Sequence, residues 1–372
     1  MKKDMKKERT HPVPDAGFAR GPSEESIYHP LFSIFQVQES QKPFGNKLRA
    51  DLREALKLRH YSQKTYQAYW AWIQRFILFH QKRHPRSLGP KEITAFLTHL
   101  ASTKNVSAST QNQALSALLF LYRNVLNIPF PKLDKLVHAK RPKTLPSVLS
   151  PQEVQALLAK LNGPTNLMAS LLYGAGLRLL ECCQLRIQDL DFSTKQIHIH
   201  AGKGKKDRFT ILPSHLKPAL QKHILQTQEM HNKDLQKGAG WVALPSALHR
   251  KYPNAGKEWS WQWVFPATRS YYHKETQQTR RHHLHETVLQ CAVRKAAKEL
   301  HFSRRITCHT LPHSFATHLF QRGQDIRTIQ KLLGHKDVKT TMIYTHVLNR
   351  GGLGVQSPLD DLFPHSMEEN ES

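Results

Sequence analysis

Five side chains between positions 178 and 344 of this 372-residue sequence could act together on a phosphate. They are Arg178 in YGAGLRLLE, Lys203 in AGKGKK, His309 in CHTLPHSFATHLF, and His335 and Tyr344 in LLGHKDVKTTMIY. Cations and hydrogen-bond donors neutralise phosphoryl oxygens, and a hydroxyl becomes a nucleophile once its proton has somewhere to go. Taken singly, each has an ordinary structural reading: Arg178 as a surface helix cation, His309 and His335 as helix caps, Tyr344 as a half-buried core tyrosine. Pro312 is the odd residue in the His309 stretch, because its surroundings point to phosphate handling while proline has neither charge nor side-chain donor.

These residues need elements to hold them. Helical periodicity begins at Asn46: Leu48, Leu52, Ala55 and Leu56, then Tyr66, Tyr69, Trp70, Ile73, Phe76 and Ile77, recur at three- and four-residue steps. ITAFLTHLA and SASTQNQALSALLFLYRNVL continue the pattern, giving a four-helix domain over 47–131. Residues 132–149 are a proline-studded basic linker in which Lys140, Arg141 and Lys143 could lie along a phosphate backbone or simply be solvated. The second domain, 150–347, opens with Ser150 as N-cap, Pro151 at the first helical position and Glu153 completing a capping box. NLMASLLYGAG and LRLLECCQL read as helices, and QIHIHA and DRFTILP as a hairpin whose turn carries Lys203. Residues 240–265 form an unusually aromatic insertion, after which ETVLQCAVRKAAKEL, PHSFATHLFQRG, DIRTIQKLLGH and DVKTTMIYTHVL are again helical. Residues 1–46 read as an extension and 348–372 as a tail. The fold class expected is mostly α with a small antiparallel β-sheet (α+β).

Lys and Arg total 55 against 28 Asp and Glu, a formal charge of +27. That excess points to a polyanionic partner, whether through a dedicated site or a generally basic surface such as a ribosome-associated protein carries. No apolar stretch approaches the roughly 18 residues of a membrane span, and the basic start MKKDMKKERT is not followed by an apolar signal core, so a cytoplasmic protein without a membrane partner is expected. The four cysteines, Cys182, Cys183, Cys291 and Cys308, fit no zinc-ligand spacing and read as reduced thiols.

In order, GxGxRxxE, a Gly-flanked Lys in a hairpin turn, HxxxHSFATH and LLGHxxxxTTxxY resemble the catalytic domain of the tyrosine recombinase family, the phage-type integrases. Longer stretches, including HYSQKTYQAYWAWIQRFILFH, RKYPNAGKEWSWQWVFP and RRHHLHE, resemble the integron integrase subgroup over roughly residues 47–360. The resemblance implies a two-domain clamp around DNA, with a SAM-like helical core-binding domain and a catalytic domain. It also implies cleavage and rejoining through a 3′-phosphotyrosyl link without metal or other cofactor, and a homotetramer on DNA. The DNA partners would be a double-stranded integration site and a folded single-stranded cassette site.

By the same resemblance Tyr344 is the nucleophile, Arg178 clamps a phosphoryl oxygen, and Lys203 is a mobile general acid. His309 and His335 donate to phosphate or assist loss of the tyrosine proton, and Glu181 orients Arg178. The family's second arginine falls at position 312, where this sequence has proline. Losing such a cation costs about 10²–10³ in rate by oxyanion-donor deletions and about 10³–10⁵ for a transition-state arginine, so weakened catalysis is expected. The fold is expected to survive, because proline is accepted in a first helical turn. Neither Arg304 nor Arg305 is expected to reach the same oxygen. Trp261, His282 and His283 match positions that grip unpaired bases by stacking; the rival readings are a core tryptophan and a histidine metal site, the latter disfavoured because the two histidines are adjacent. Two other function classes remain open: a catalytically inactive site-specific DNA-binding protein, and a nucleoid-type binder without site preference.

Overall fold

Four helices carry the first part of the chain in the computed structural model, which describes residues 43–128, 146–200 and 207–344. Lys140, Arg141, Lys143 and Lys203 therefore lie outside the described residues. The described residues divide into two compact units, one on either side of residue 143.

In the first unit, α1 (Pro43–Leu58), α2 (Gln63–Phe79), α3 (Pro90–Ser102) and α4 (Ala108–Phe120) are followed by a π-helical turn, Leu121–Val125. The first helix starts at Pro43, ahead of Asn46 where the periodicity begins; proline suits a first helical turn, which carries little apolar pattern of its own. Ser62 and Ser107 cap α2 and α4, their hydroxyls accepting from the N–H groups of Thr65 and Thr110. The apolar faces meet around Leu52, Ile73, Phe76, Ile93, Leu118 and Tyr122. The fully buried Tyr122 hydroxyl lies 2.9 Å from the Pro85 carbonyl and 3.2 Å from that of Leu88, so its burial leaves no unpaired donor.

In the second unit, α5 (Pro151–Ala159) begins with the capping box read from sequence: Ser150 Oγ accepts from Glu153 N–H at 3.2 Å, and Glu153 Oε2 accepts from Ser150 N–H at 2.8 Å. In α6 (Gly163–Gly174) every residue from Leu167 to Leu172 is buried, the signature of a helix covered on all sides. It packs against α10 (Glu286–Glu299) and α11 (Thr310–Gln321). The short α7 (Leu179–Cys183) leads to an antiparallel sheet of β1 (Leu190–Asp191), β2 (Gln196–Ile199) and β3 (Arg208–Ile211), in which Ile197 faces Thr210 and Ile199 faces Arg208. The 20-residue α8 (Lys217–Gln236), the short α9 (Ser246–Lys251) and a second hairpin, β4 (Pro266–His273) with β5 (Gln278–His283), were not among the expected elements. The unit continues with α12 (Ile326–Leu333) and α13 (Val338–Thr341), then a 3₁₀ turn over 342–344. Among the described residues the architecture is thus mostly helical with two small antiparallel sheets. Cys182, Cys183 and Cys308 are buried, Cys291 is exposed, and none of the four forms a disulfide. Among the described residues no helix is long and apolar enough to cross a membrane.

Candidate active site

The GxGxRxxE stretch folds as a tight passage from α6 to α7. Gly176 has φ +66°, and a Cβ there would sit 2.6 Å from the Phe315 ring; a Cβ at Gly174 would sit 2.7 Å from Pro213. Both glycines allow close backbone approach, and Gly176 also supplies a left-handed turn. Arg178 follows in extended conformation as the N-cap of α7. Its backbone N–H donates to Glu181 Oε2 at 2.8 Å and its Nη1 to Glu181 Oε1 at 2.6 Å. Its Nη2 donates to the carbonyl of Leu333 at 2.8 Å, at the end of α12, where the orphan carbonyls and the negative end of the helix dipole favour a cation.

A second guanidinium meets the same carboxylate. Arg208 on β3 donates from Nη1 and Nη2 to Glu181 Oε1 and Oε2 at 2.9 and 2.7 Å, and from Nε to the Leu332 carbonyl at 2.9 Å. Burial by itself would raise the Glu181 carboxyl. The hydrogen bonds and charge of Arg208, followed by those of Arg178, win and hold it below the usual carboxylate range.

Tyr344 is 2 % exposed, packed with Phe315, Ala316, Ile329 and Leu333. Its hydroxyl lies 2.7 Å from Nδ1 of His313, a hydrogen bond whose direction follows the imidazole tautomer. Burial pushes the phenol up to about 12, countered in part by the Arg178 charge. Burial, and next the neighbouring His309, push the His313 imidazole below its usual value, so it is neutral at physiological pH. His309 is exposed at the N-cap of α11. His335 follows the left-handed Gly334 that ends α12, and its Nδ1 lies 2.9 Å from Thr341 Oγ1. The structure therefore gathers Arg178, His309, His335 and Tyr344 into one locality built from α7, α11, α12 and the 342–344 turn.

Pro312 is buried at the third position of α11. The N–H groups of a first turn have no partner within the helix, so the ring removes no helical hydrogen bond. Arg304 is committed elsewhere, to Glu153 and to the Val148 carbonyl; Arg305 is exposed.

In the aromatic insertion, the guanidinium of Arg186 lies over Trp263 at 3.9 Å and over Trp261 at 5.4 Å. It donates to the carbonyls of Trp261 and Ala243 at 2.5 and 2.9 Å. Burial lowers this guanidinium to about 10, with Asp189 opposing. Trp261 is half-buried and Trp263 buried. His282 is exposed beside Trp263, with ring centroids 6.3 Å apart. His283 differs from the expectation of a base-stacking ring. It is 6 % exposed, meets Trp263 edge-on and has Nδ1 2.9 Å from the Leu284 carbonyl, so in this conformation it offers no free face. The bidentate pair of Arg281 with Asp234, at 2.7 and 2.8 Å, ties β5 to α8.

Arg208, His313 and Arg186 were not singled out from sequence. His313 was legible as the second histidine of HxxxHSFATH. Arg186 and Arg208 carry no spacing signal, because each is defined by what the fold brings to it from far along the chain.

Comparison with known proteins gives a consistent picture. The model of the Phage integrase family matches residues 147–350, and that of the Phage integrase N-terminal SAM-like domain matches residues 48–132. An integrase/recombinase of Escherichia coli is 47 % identical over 322 residues, covering 87 % of this chain and 96 % of that protein. Tyrosine recombinase XerC of Halalkalibacterium halodurans is 31 % identical over 265 residues, 68 % of this chain and 77 % of that one. Among solved structures, a lambda integrase dimer bound to a core site shares the fold, with a TM-score of 0.56 at 17 % identity over 82 % of this chain and 96 % of that one.

Proposed function

The chain belongs to the phage integrase family, the tyrosine-type site-specific DNA recombinases, and from that premise we propose that it is an integron-type recombinase whose chemistry is weakened at position 312. The observation that carries the reading is the Tyr344 hydroxyl held against His313 beside the Arg178–Glu181–Arg208 cluster.

In the proposed reaction the Tyr344 oxygen forms a bond to a DNA phosphorus and the bond from phosphorus to the 5′ oxygen breaks. The phenolic proton passes to a neutral imidazole, His313 being the one in contact, and Lys203 delivers a proton to the leaving oxygen. The phosphotyrosyl ester conserves the bond energy, so a 5′ hydroxyl of another strand can reverse the step. Arg178 stabilises the charge that develops on the phosphoryl oxygens, with Glu181 and Arg208 fixing its position. In this reading His309 and His335 donate to those oxygens. With proline at 312 a second bidentate cation is lacking, and Arg304, engaged with Glu153, does not replace it.

The integron assignment rests on the insertion. The half-buried Trp261 and exposed His282 flank an Arg186–Trp263 stack that fixes them, which suits gripping bases extruded from a folded single strand. Lys140, Arg141 and Lys143 would follow the phosphate backbone, and a tetramer in a cytoplasmic setting would pair two sites.

Pro312→Arg tests the reading. On a suicide substrate with a nicked phosphodiester it is expected to raise covalent-adduct formation about 10²-fold or more, by donor-deletion magnitudes taken in reverse, and adding Tyr344→Phe is expected to abolish the adduct. Pro312 itself favours a second reading, a site-specific DNA-binding protein that no longer cuts. No adduct from either the parent or Pro312→Arg, with site binding intact, would establish that one.

A further inference from the structure

The β2–β3 hairpin carries a cluster that the recombination chemistry leaves unused. Along β2, Ile197 and Ile199 point into the core, so His198 and the following His200 share the outer face, their ring centroids 3.8 Å apart. The ladder ends with Ile199 opposite Arg208, and the next residue on each strand, His200 and Asp207, meet through their side chains. Asp207 Oδ2 lies 3.5 Å from His198 Nε2 and 3.2 Å from His200 Nδ1, and the donor atoms of all three residues lie within 4.8 Å of one another. A tetrahedral zinc ion with bonds of about 2.0–2.1 Å sets its ligand atoms about 3.3–3.4 Å apart.

A second observation lies behind these residues. Asp189 is 5 % exposed, and its Oδ1 is buried without a well-formed hydrogen bond. That oxygen faces His200 Nε2 at 3.2 Å, while Oδ2 accepts from the Arg186 N–H at 2.8 Å. His200 thus presents one ring nitrogen to Asp207 and the other to a buried carboxylate, the arrangement by which outer partners fix the tautomer and basicity of metal-bound histidines. Phe209 stacks on the His198 ring at 4.5 Å and 14°, holding the other imidazole.

We propose that His198, His200 and Asp207 bind a late first-row divalent cation, zinc above all, with Asp189 as the positioning carboxylate. Two imidazoles with one carboxylate suit zinc, nickel or copper and not magnesium or calcium, which take oxygen ligands. The ion clips together residues 200 and 207, which bracket the segment 201–206 containing Lys203, so its role is to fix the ends of that segment and not to take part in phosphoryl transfer.

The test is metal binding by the untagged, full-length, EDTA-treated protein. Titrated cobalt(II) is expected to give saturable ligand-field absorption of tetrahedral intensity, without thiolate charge-transfer bands, and zinc(II) is expected to displace it. Asp207→Asn, at an exposed position, and the pair His198→Gln with His200→Gln should each lower zinc affinity at least about tenfold, and Asp189→Asn by about 10–100-fold. Far-UV circular dichroism checks that each variant is folded. Absence of a tetrahedral cobalt spectrum would overturn the proposal and leave a plain ion-pair cluster. So would an unchanged zinc isotherm in the folded Asp207→Asn and double-histidine variants, which would move binding to some other of the 24 histidines.

Discussion

Glu181 holds two guanidiniums at once, Arg178 and Arg208, and its side chain is only 10 % exposed. Breaking such a set from one side leaves buried charge uncompensated, so Glu181→Gln is expected to cost about 3–5 kcal/mol at neutral pH, measured by urea denaturation. The pH dependence follows from the depressed carboxyl. The unfolded chain takes up the proton first as pH falls, so the contribution is complete above the ordinary carboxylate pKa of about 4.3 and disappears below it. The acid limb of the stability curve should flatten in Glu181→Gln; an equally steep limb would show that other carboxylates set it. Tyr344 runs the opposite way. A phenol raised to about 12 keeps its proton in the folded state after the unfolded chain has lost it, so stability falls as pH climbs from about 10 to 12. At neutral pH this tyrosine is fully protonated, and attack needs an acceptor during the step. His313→Gln should therefore slow cleavage by about 10²–10⁴ while leaving site binding in place, as a gel shift beside a suicide-substrate assay would read. Equal rates would remove His313 from the proton path.

The passage from α6 to α7 and the strand β3 show what a sequence reveals about an element and what it hides. At Gly176 an added methyl meets both the left-handed penalty and the Phe315 ring, whereas at Gly163, with φ +52°, nothing lies within 4 Å of the methyl. Gly176→Ala should lose about 2–4 kcal/mol and Gly163→Ala about 1–2 kcal/mol; comparable losses would mean that Phe315 gives way freely. The glycines, the arginine and the capping box were legible because their spacing is local. On β3, by contrast, Thr210 is buried and Arg208 reaches Glu181, while Phe209 and Ile211 are 59 % and 43 % exposed. Alternation of apolar residues marks a strand but here points the wrong side inward, so the Arg208 contact could not be read. The β4–β5 hairpin hid for a related reason: ATRSYYH and QTRRHH are polar on both faces, leaving little apolar period to see.

At the scale of the whole molecule, charge and cores act separately. With a formal charge of +27, site binding should weaken by about 10³–10⁵ between 50 and 200 mM salt if six to ten phosphates are neutralised. Tyr344→Phe should leave that slope unchanged, because the buried hydroxyl matters to chemistry and not to the electrostatic footprint. A flat salt response would refute the electrostatic account. The main cores of the two units differ in how they use the chain. Among the described residues, the first draws its buried side chains from Leu48 to Leu126, with Ile128 packed against them. The second spans Leu149 to Leu311, and the Leu149 N–H donates to Ser314 Oγ at 2.9 Å across 165 positions. On a ribosome adding about 5–20 residues per second, the first core can close as soon as its last helix emerges. The apolar residues of α5 and α6, made early, must wait on the order of ten to thirty seconds for α11 to appear. During vectorial synthesis those two helices are expected to hold apolar surface unburied for that interval, which chaperone binding to stalled nascent chains would read.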